Sequence, residues 1–158
     1  MKFDPFESKN SFYKYDIKIS EEEINQILIL VKSKNTPDQK TTFESLNVLN
    51  FPLLKNLREQ VISILDEKKL ILRNNWAQLY NTKSFHCVHT HSDSDYSGII
   101  YVQGKTPTVF YDRNFNYPHF EKFEINKMLL FPSWIPHEVR PLPSDEDRLI
   151  ISFNSTYG

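Results

Sequence analysis

A single cysteine, Cys87, stands among 158 residues, so no disulfide can form within the chain. A reducing, cytoplasmic setting is the matching expectation. Glycine is nearly as scarce, at three residues, which excludes a glycine-rich phosphate-binding loop. Long apolar runs are missing too. The longest spans residues 27–31, far short of the roughly 20 residues a membrane helix needs. The opening Met1-Lys2-Phe3-Asp4-Pro5 lacks the apolar stretch of a secretory signal. Charge of one sign is absent, with 19 basic against 20 acidic residues and no basic stripe. The chain therefore carries no strong nucleic-acid signal and no affinity for an anionic membrane surface.

Aromatic residues are plentiful, at 14% of the chain, and suit a β core or a lined pocket. The length predicts one domain over 1–158, with a helical part at 1–69 and a strand-rich part at 70–158. Residues 1–18 read as an irregular or extended arm. Ser20 and Glu23 form a capping-box pair, and Ile24, Ile27, Leu28 and Val31 share one stripe, predicting a helix over 21–32. Residues 35–38 break it. After an ambiguous polar segment at 39–50, Pro52 opens a second helix with an apolar face of Leu54, Leu57, Val61, Ile64 and Leu65. Short β-like runs follow at 76–80, 85–91, 97–103, 108–111, 127–131, 137–139 and 148–154, separated by turn-forming residues. Two helices followed by such strands predict a mainly β fold, a jelly roll with the helices packed on one sheet. The aromatic segment 112–126, holding Phe115, Tyr117, His119 and Phe120, reads as a loop long enough to cover a substrate.

His89 and His91, two apart on an extended segment, point to the same face and can present two imidazoles to one metal. His137 follows the aromatic, proline-braced stretch Phe131-Pro132-Ser133-Trp134-Ile135-Pro136 and supplies a third. Imidazoles from different strands suit iron, zinc, copper or nickel. Arg148 comes eleven residues after His137 and heads the last strand, with Ile150, Ser152 and Asn154 on its face. A guanidinium beside a hydroxyl can grip a carboxylate in two places. The plainer reading of Arg148 is a surface ion pair with Asp145, Glu146 or Asp147.

These residues, with Ser97-Gly98-Ile99-Ile100-Tyr101-Val102 and Arg148-Leu149-Ile150-Ile151-Ser152-Phe153-Asn154, resemble the iron(II)- and 2-oxoglutarate-dependent oxygenases, in particular their short bacterial and phage-type members. The resemblance spans about half the chain, from Asn75-Trp76 to Asn154. It implies a double-stranded β-helix and Fe(2+) held by His89 and His137. It also implies 2-oxoglutarate gripped by Arg148 with Ser152 nearby, and Tyr80 and Tyr101 turned toward its carboxylate. The implied reaction consumes 2-oxoglutarate and O2, releases succinate and CO2, and oxidises a substrate that the sequence does not identify.

The family's usual carboxylate, two residues after the first histidine, is replaced by His91. Either His91 is the third ligand, the frame the Tyr80 spacing favours, or the frame slides and Asp93 supplies the carboxylate. Asp95 is a more distant third choice. Cupins, metal-binding domains of the same architecture, are the alternative. His89, His91, Asp95 and His137 match their outline, but Arg148 has no role there and the expected glycines are missing.

Overall fold

The computed structural model describes residues 12–33, 40–43, 46–81, 84–112, 117–143 and 145–158. Most of the expected arm (1–11), the helix breaker at 35–38, the turn residues Thr82, Lys83 and Ser144, and Phe115 of the expected cover lie outside them.

Helix α1 (Glu21–Lys32) starts where its capping box requires. The Ser20 hydroxyl accepts the Glu23 amide at 3.1 Å, and the Glu23 carboxylate accepts the Ser20 amide at 2.8 Å. Pro52 opens a short 3-10 turn, Pro52–Leu54, that leads into α2 (Lys55–Glu67). The strands are β1 (Tyr13–Asp16), β2 (Lys40–Thr41), β3 (Leu70–Tyr80), β4 (His86–His89) and β5 (Tyr96–Gln103). They continue with β6 (Thr108–Tyr111), β7 (Pro118–Glu121), β8 (Lys127–Pro132), β9 (His137–Val139) and β10 (Arg148–Tyr157).

Two antiparallel sheets result, one of six strands ordered β1-β8-β5-β10-β3-β2 and one of four ordered β4-β9-β6-β7. This is the expected double-stranded β-helix. Among the described residues no helix is long and apolar enough to cross a membrane.

Side-chain alternation sorts the large sheet into two cores. Ala77, Leu79, Ile100, Val102, Leu149, Ile151 and Phe153 face outward onto Ile27, Val31, Leu57, Val61 and Leu65 of the helices. Their neighbours in sequence, among them Tyr80, Ile99, Tyr101 and Ile150, face Phe110 and Val139 of the small sheet. The helices therefore shield one face of the large sheet, and the other face is left to build a site. Gly98 is pinned between these demands. A Cβ there would lie 1.9 Å from the ring of Phe153, its pairing partner across β10.

Three expectations change. The division at residue 69 is not clean, because β1 and β2 from the N-terminal part pair with β8 and β3 of the large sheet. β3 begins at Leu70, six residues earlier than alternation in the sequence predicts. Within the expected cover 112–126, residues 113–116 lie outside the described residues, and part of the remainder belongs to the sheet. Pro118–Glu121 form β7, paired to β6, and Phe123 is buried in the core between the sheets. Backbone pairing and a buried ring hold residues 118–123 down, so this part is not a free loop.

Candidate metal and oxoacid site

His89 at the end of β4 and His137 at the start of β9 are direct pairing partners across the small sheet, which sets their rings 4.2 Å apart. His91 lies just beyond β4. Its amide donates to the Ser133 carbonyl at 2.9 Å, and the Ser133 hydroxyl contacts those of Ser94 and Ser97. Ser133, in the turn after β8, thus staples the His91 segment to the sheet, with the His91 ring parallel to that of His137 at 5.2 Å. One ring nitrogen from each of His89, His91 and His137 lies within 4.8 Å of the others.

The tautomers are directed as well. His89 Nδ1 donates to the Cys87 carbonyl at 2.7 Å, and His137 Nδ1 donates to the Ile135 carbonyl at 3.0 Å. A carbonyl only accepts, so each ring carries its proton on Nδ1 and leaves Nε2 with a free lone pair. Burial lowers the His89 pKa; burial, then His89, lowers that of His91 to about 4 and holds His137 well below its ordinary value. All are thereby kept in the neutral form that binds metal. Three neutral imidazoles fit a divalent transition metal and are poor ligands for calcium or magnesium.

The two candidate carboxylates stand apart from this cluster. Asp93 is exposed and accepts the Ser92 hydroxyl at 3.3 Å. Asp95, the acid a cupin outline would need, accepts the Tyr157 amide at 2.9 Å.

Arg148 is fully buried. The surface ion pair considered from the sequence does not form. Its Nε donates to the Thr106 carbonyl at 3.0 Å and its Nη2 to the Thr108 hydroxyl at 2.7 Å. Nη1 is buried with no hydrogen-bond partner among the described residues. A buried cation with an idle donor is costly, and an anionic ligand is the direct remedy. Arg148 pairs across the ladder with Tyr80, Ile150 with Gln78, and Ser152 with Trp76, so these six side chains floor one cavity with the histidines.

Tyr80, whose hydroxyl lies 3.3 Å from His86 Nδ1, lines that cavity. Burial pushes its pKa up to about 12, against the pull of the Arg148 charge. Tyr101 sits behind the arginine instead. Its hydroxyl donates to Thr108 Oγ1 at 2.8 Å, and its ring packs on Phe123.

Two residues escaped the sequence reading. Thr108 accepts from both Tyr101 and Arg148, so its own proton is left to donate toward the cavity it lines. Strict alternation along 108–111 would have shown it beside Phe110 on the inner face. His86 stacks on His89 at 3.9 Å. Alternation places it on the opposite face from His89, but a register shift between the two brings it round. Burial, then His89, lowers its pKa to about 4.

The inner chamber measures about 20 Å³, room for one or two waters. It shares Trp76, Gln78, His86, His89 and His91 with an outer cavity of about 430 Å³. Thr41, at the end of β2, and Phe43 just beyond it form the outer wall, with Phe43 edge-on to Trp76 at 4.9 Å.

No protein-family model matches the sequence, and no curated protein resembles it closely. Solved structures do match in fold. A viral collagen prolyl hydroxylase from Paramecium bursaria Chlorella virus-1, in complex with 2-oxoglutarate, is 12% identical with a TM-score of 0.69 over 95% of this chain and 98% of that one. A 2OG-Fe(II) oxygenase family oxidoreductase from Burkholderia pseudomallei is 13% identical with a TM-score of 0.66, covering 94% and 85%. HygX from Streptomyces hygroscopicus, with nickel, 2-oxoglutarate and hygromycin B bound, is 11% identical with a TM-score of 0.67, covering 93% and 83%. The chain has the fold of the 2-oxoglutarate/iron(II) oxygenases.

Proposed function

We propose that this chain is a cytoplasmic, iron(II)- and 2-oxoglutarate-dependent oxygenase whose metal is held by His89, His91 and His137. The observation that carries the reading is the buried Arg148 guanidinium, with Nη1 unpartnered, in the same cavity as three clustered imidazoles, two of them tautomer-fixed. Bound iron would supply the oxidative chemistry, in which O2 and 2-oxoglutarate yield succinate and CO2 while a substrate C–H bond is oxidised, most simply to an alcohol.

The chain's own residues bind, orient and exclude. Arg148 and the Thr108 hydroxyl together offer the distal carboxylate two donors of fixed direction. Tyr80, Ile150 and Val139 keep water from the space between. With three neutral ligands the metal keeps its full double charge, so a dianionic co-substrate is favoured more strongly than by a site that already holds a carboxylate. The five-carbon acid is larger than the inner chamber as it stands. His86, which walls both spaces, is the side chain whose rotation would widen the neck. The outer cavity, with Phe43 and Trp76, receives the substrate to be oxidised.

Anaerobic titration with iron(II) and then 2-oxoglutarate tests this reading. A weak visible absorption band that saturates at one equivalent of each is expected. A protein that binds metal without any response to the oxoacid would favour a cupin-type metal-binding domain.

A further inference from the structure

Arg148 is gripped from two sides, and only one grip belongs to a strand. Thr108, on the Nη2 side, is the first residue of β6. Thr106, on the Nε side, lies in the irregular turn between β5 and β6. That turn passes tightly over the arginine. Gly104 has φ +136°, and a Cβ there would lie 3.0 Å from the Arg148 Cα. What holds the turn is a side chain from outside the sheet. Glu146 Oε1 accepts the amides of Lys105 at 2.5 Å and Thr106 at 2.6 Å, and Oε2 accepts the Thr106 hydroxyl at 2.6 Å.

We propose that Glu146 is a positioning residue for oxoacid binding, clamping the 104–106 turn so that the Thr106 carbonyl holds the Arg148 guanidinium in line with the cavity. This rests on the reading of Arg148 as the oxoacid anchor. The chemistry selects geometry over charge as the reason for the clamp. A carboxylate near the arginine repels an incoming dianion, so by charge alone Glu146 weakens binding. Its contribution is three hydrogen bonds to a turn that has no ladder of its own, and a planar guanidinium tolerates little misalignment.

The two effects have opposite signs, which makes the test decisive. In the nickel-loaded full chain without oxygen, Glu146→Ala should raise the 2-oxoglutarate dissociation constant at least about tenfold. Glu146→Gln keeps an acceptor oxygen for the two amides and removes the charge. It should bind within about threefold of the parent, or more tightly. Nickel affinity should be unchanged in both. In the metal-free, ligand-free protein, Glu146→Ala should also speed hydrogen exchange at the Lys105 and Thr106 amides, a readout independent of the oxoacid. Equal or tighter binding by the alanine variant would overturn the proposal, as would a glutamine variant as weak as alanine or unchanged amide exchange. Failure of the parent itself to bind 2-oxoglutarate would instead bring down the oxygenase reading and this proposal with it.

Discussion

Replacing Arg148 with methionine should separate function from stability. The arginine is fully buried and makes two hydrogen bonds, to Thr106 and Thr108, while Nη1 makes none. Losing two charge-assisted bonds costs about 1.5–3 kcal/mol each. Against that stands the desolvation of an unpaired buried cation, several kcal/mol, together with roughly 1–3 kcal/mol for the idle donor. The terms nearly cancel, so the unliganded Arg148→Met protein should melt within a few degrees of the parent. Oxoacid binding should not survive in the same way. Removing one partner of a buried ion pair costs about 3–5 kcal/mol, which raises the dissociation constant by a factor of hundreds or more.

Thermal melting of the metal-loaded protein reads both effects at once. At 100 times its dissociation constant a ligand adds about 2.7 kcal/mol, or roughly 5–11 °C for a chain of this size. The parent should show that shift with 2-oxoglutarate, and Arg148→Met should show none at the same concentration. An equal shift in the variant would refute the assignment of Arg148 as anchor. A variant that melts far below the parent without ligand would show that the guanidinium is a structural strut.

Replacing either His89 or His137 with alanine should abolish stoichiometric nickel or iron uptake, whereas Asp93→Ala should retain it. In a metal titration, loss of metal in Asp93→Ala with retention in His89→Ala would restore the shifted frame, and retention in His137→Ala would overturn the metal site itself. His86→Ala should open the neck between the two cavities and speed 2-oxoglutarate association in stopped-flow measurements; slower or weaker binding would make His86 a contact of the ligand instead. The histidine pKa values are depressed on folding, so the unfolded chain binds more protons between about pH 4 and 6.5. Stability of the metal-free protein should therefore fall as pH drops through that window. Allowing for partial solvent screening, the loss should be about 3 kcal/mol, and denaturation midpoints that stay flat from pH 6.5 to 4 would contradict it. Gly98→Ala should destabilise by about 1–3 kcal/mol or more through collision with Phe153, measured by urea unfolding, and a neutral effect would mean that ring is free to move.

Features governed by short spacing were legible in the sequence. The Ser20/Glu23 capping box and the stripe through Ile27 and Val31 depend on helical contacts three and four residues apart, and α1 occupies its predicted span. Alternation along 148–154 separated Arg148, Ile150 and Ser152 from Leu149, Ile151 and Phe153, because period-two geometry is local to a strand. The same logic put His89 and His91 on a common side. What tertiary structure decided was everything that depends on a partner distant in sequence. The pairing of β4 with β9 set His89 against His137, and the Ser133 staple turned His91 inward. A register shift brought His86 to the site against its strand parity. Pairing to β6 made residues 118–121 of the supposed cover into β7, and Thr41 and Phe43 form the outer wall. Nor could spacing tell a surface Arg148 from a buried one. Burial is a property of what packs around a residue, and here Thr106, Thr108 and Tyr80 arrive from two other strands and a turn.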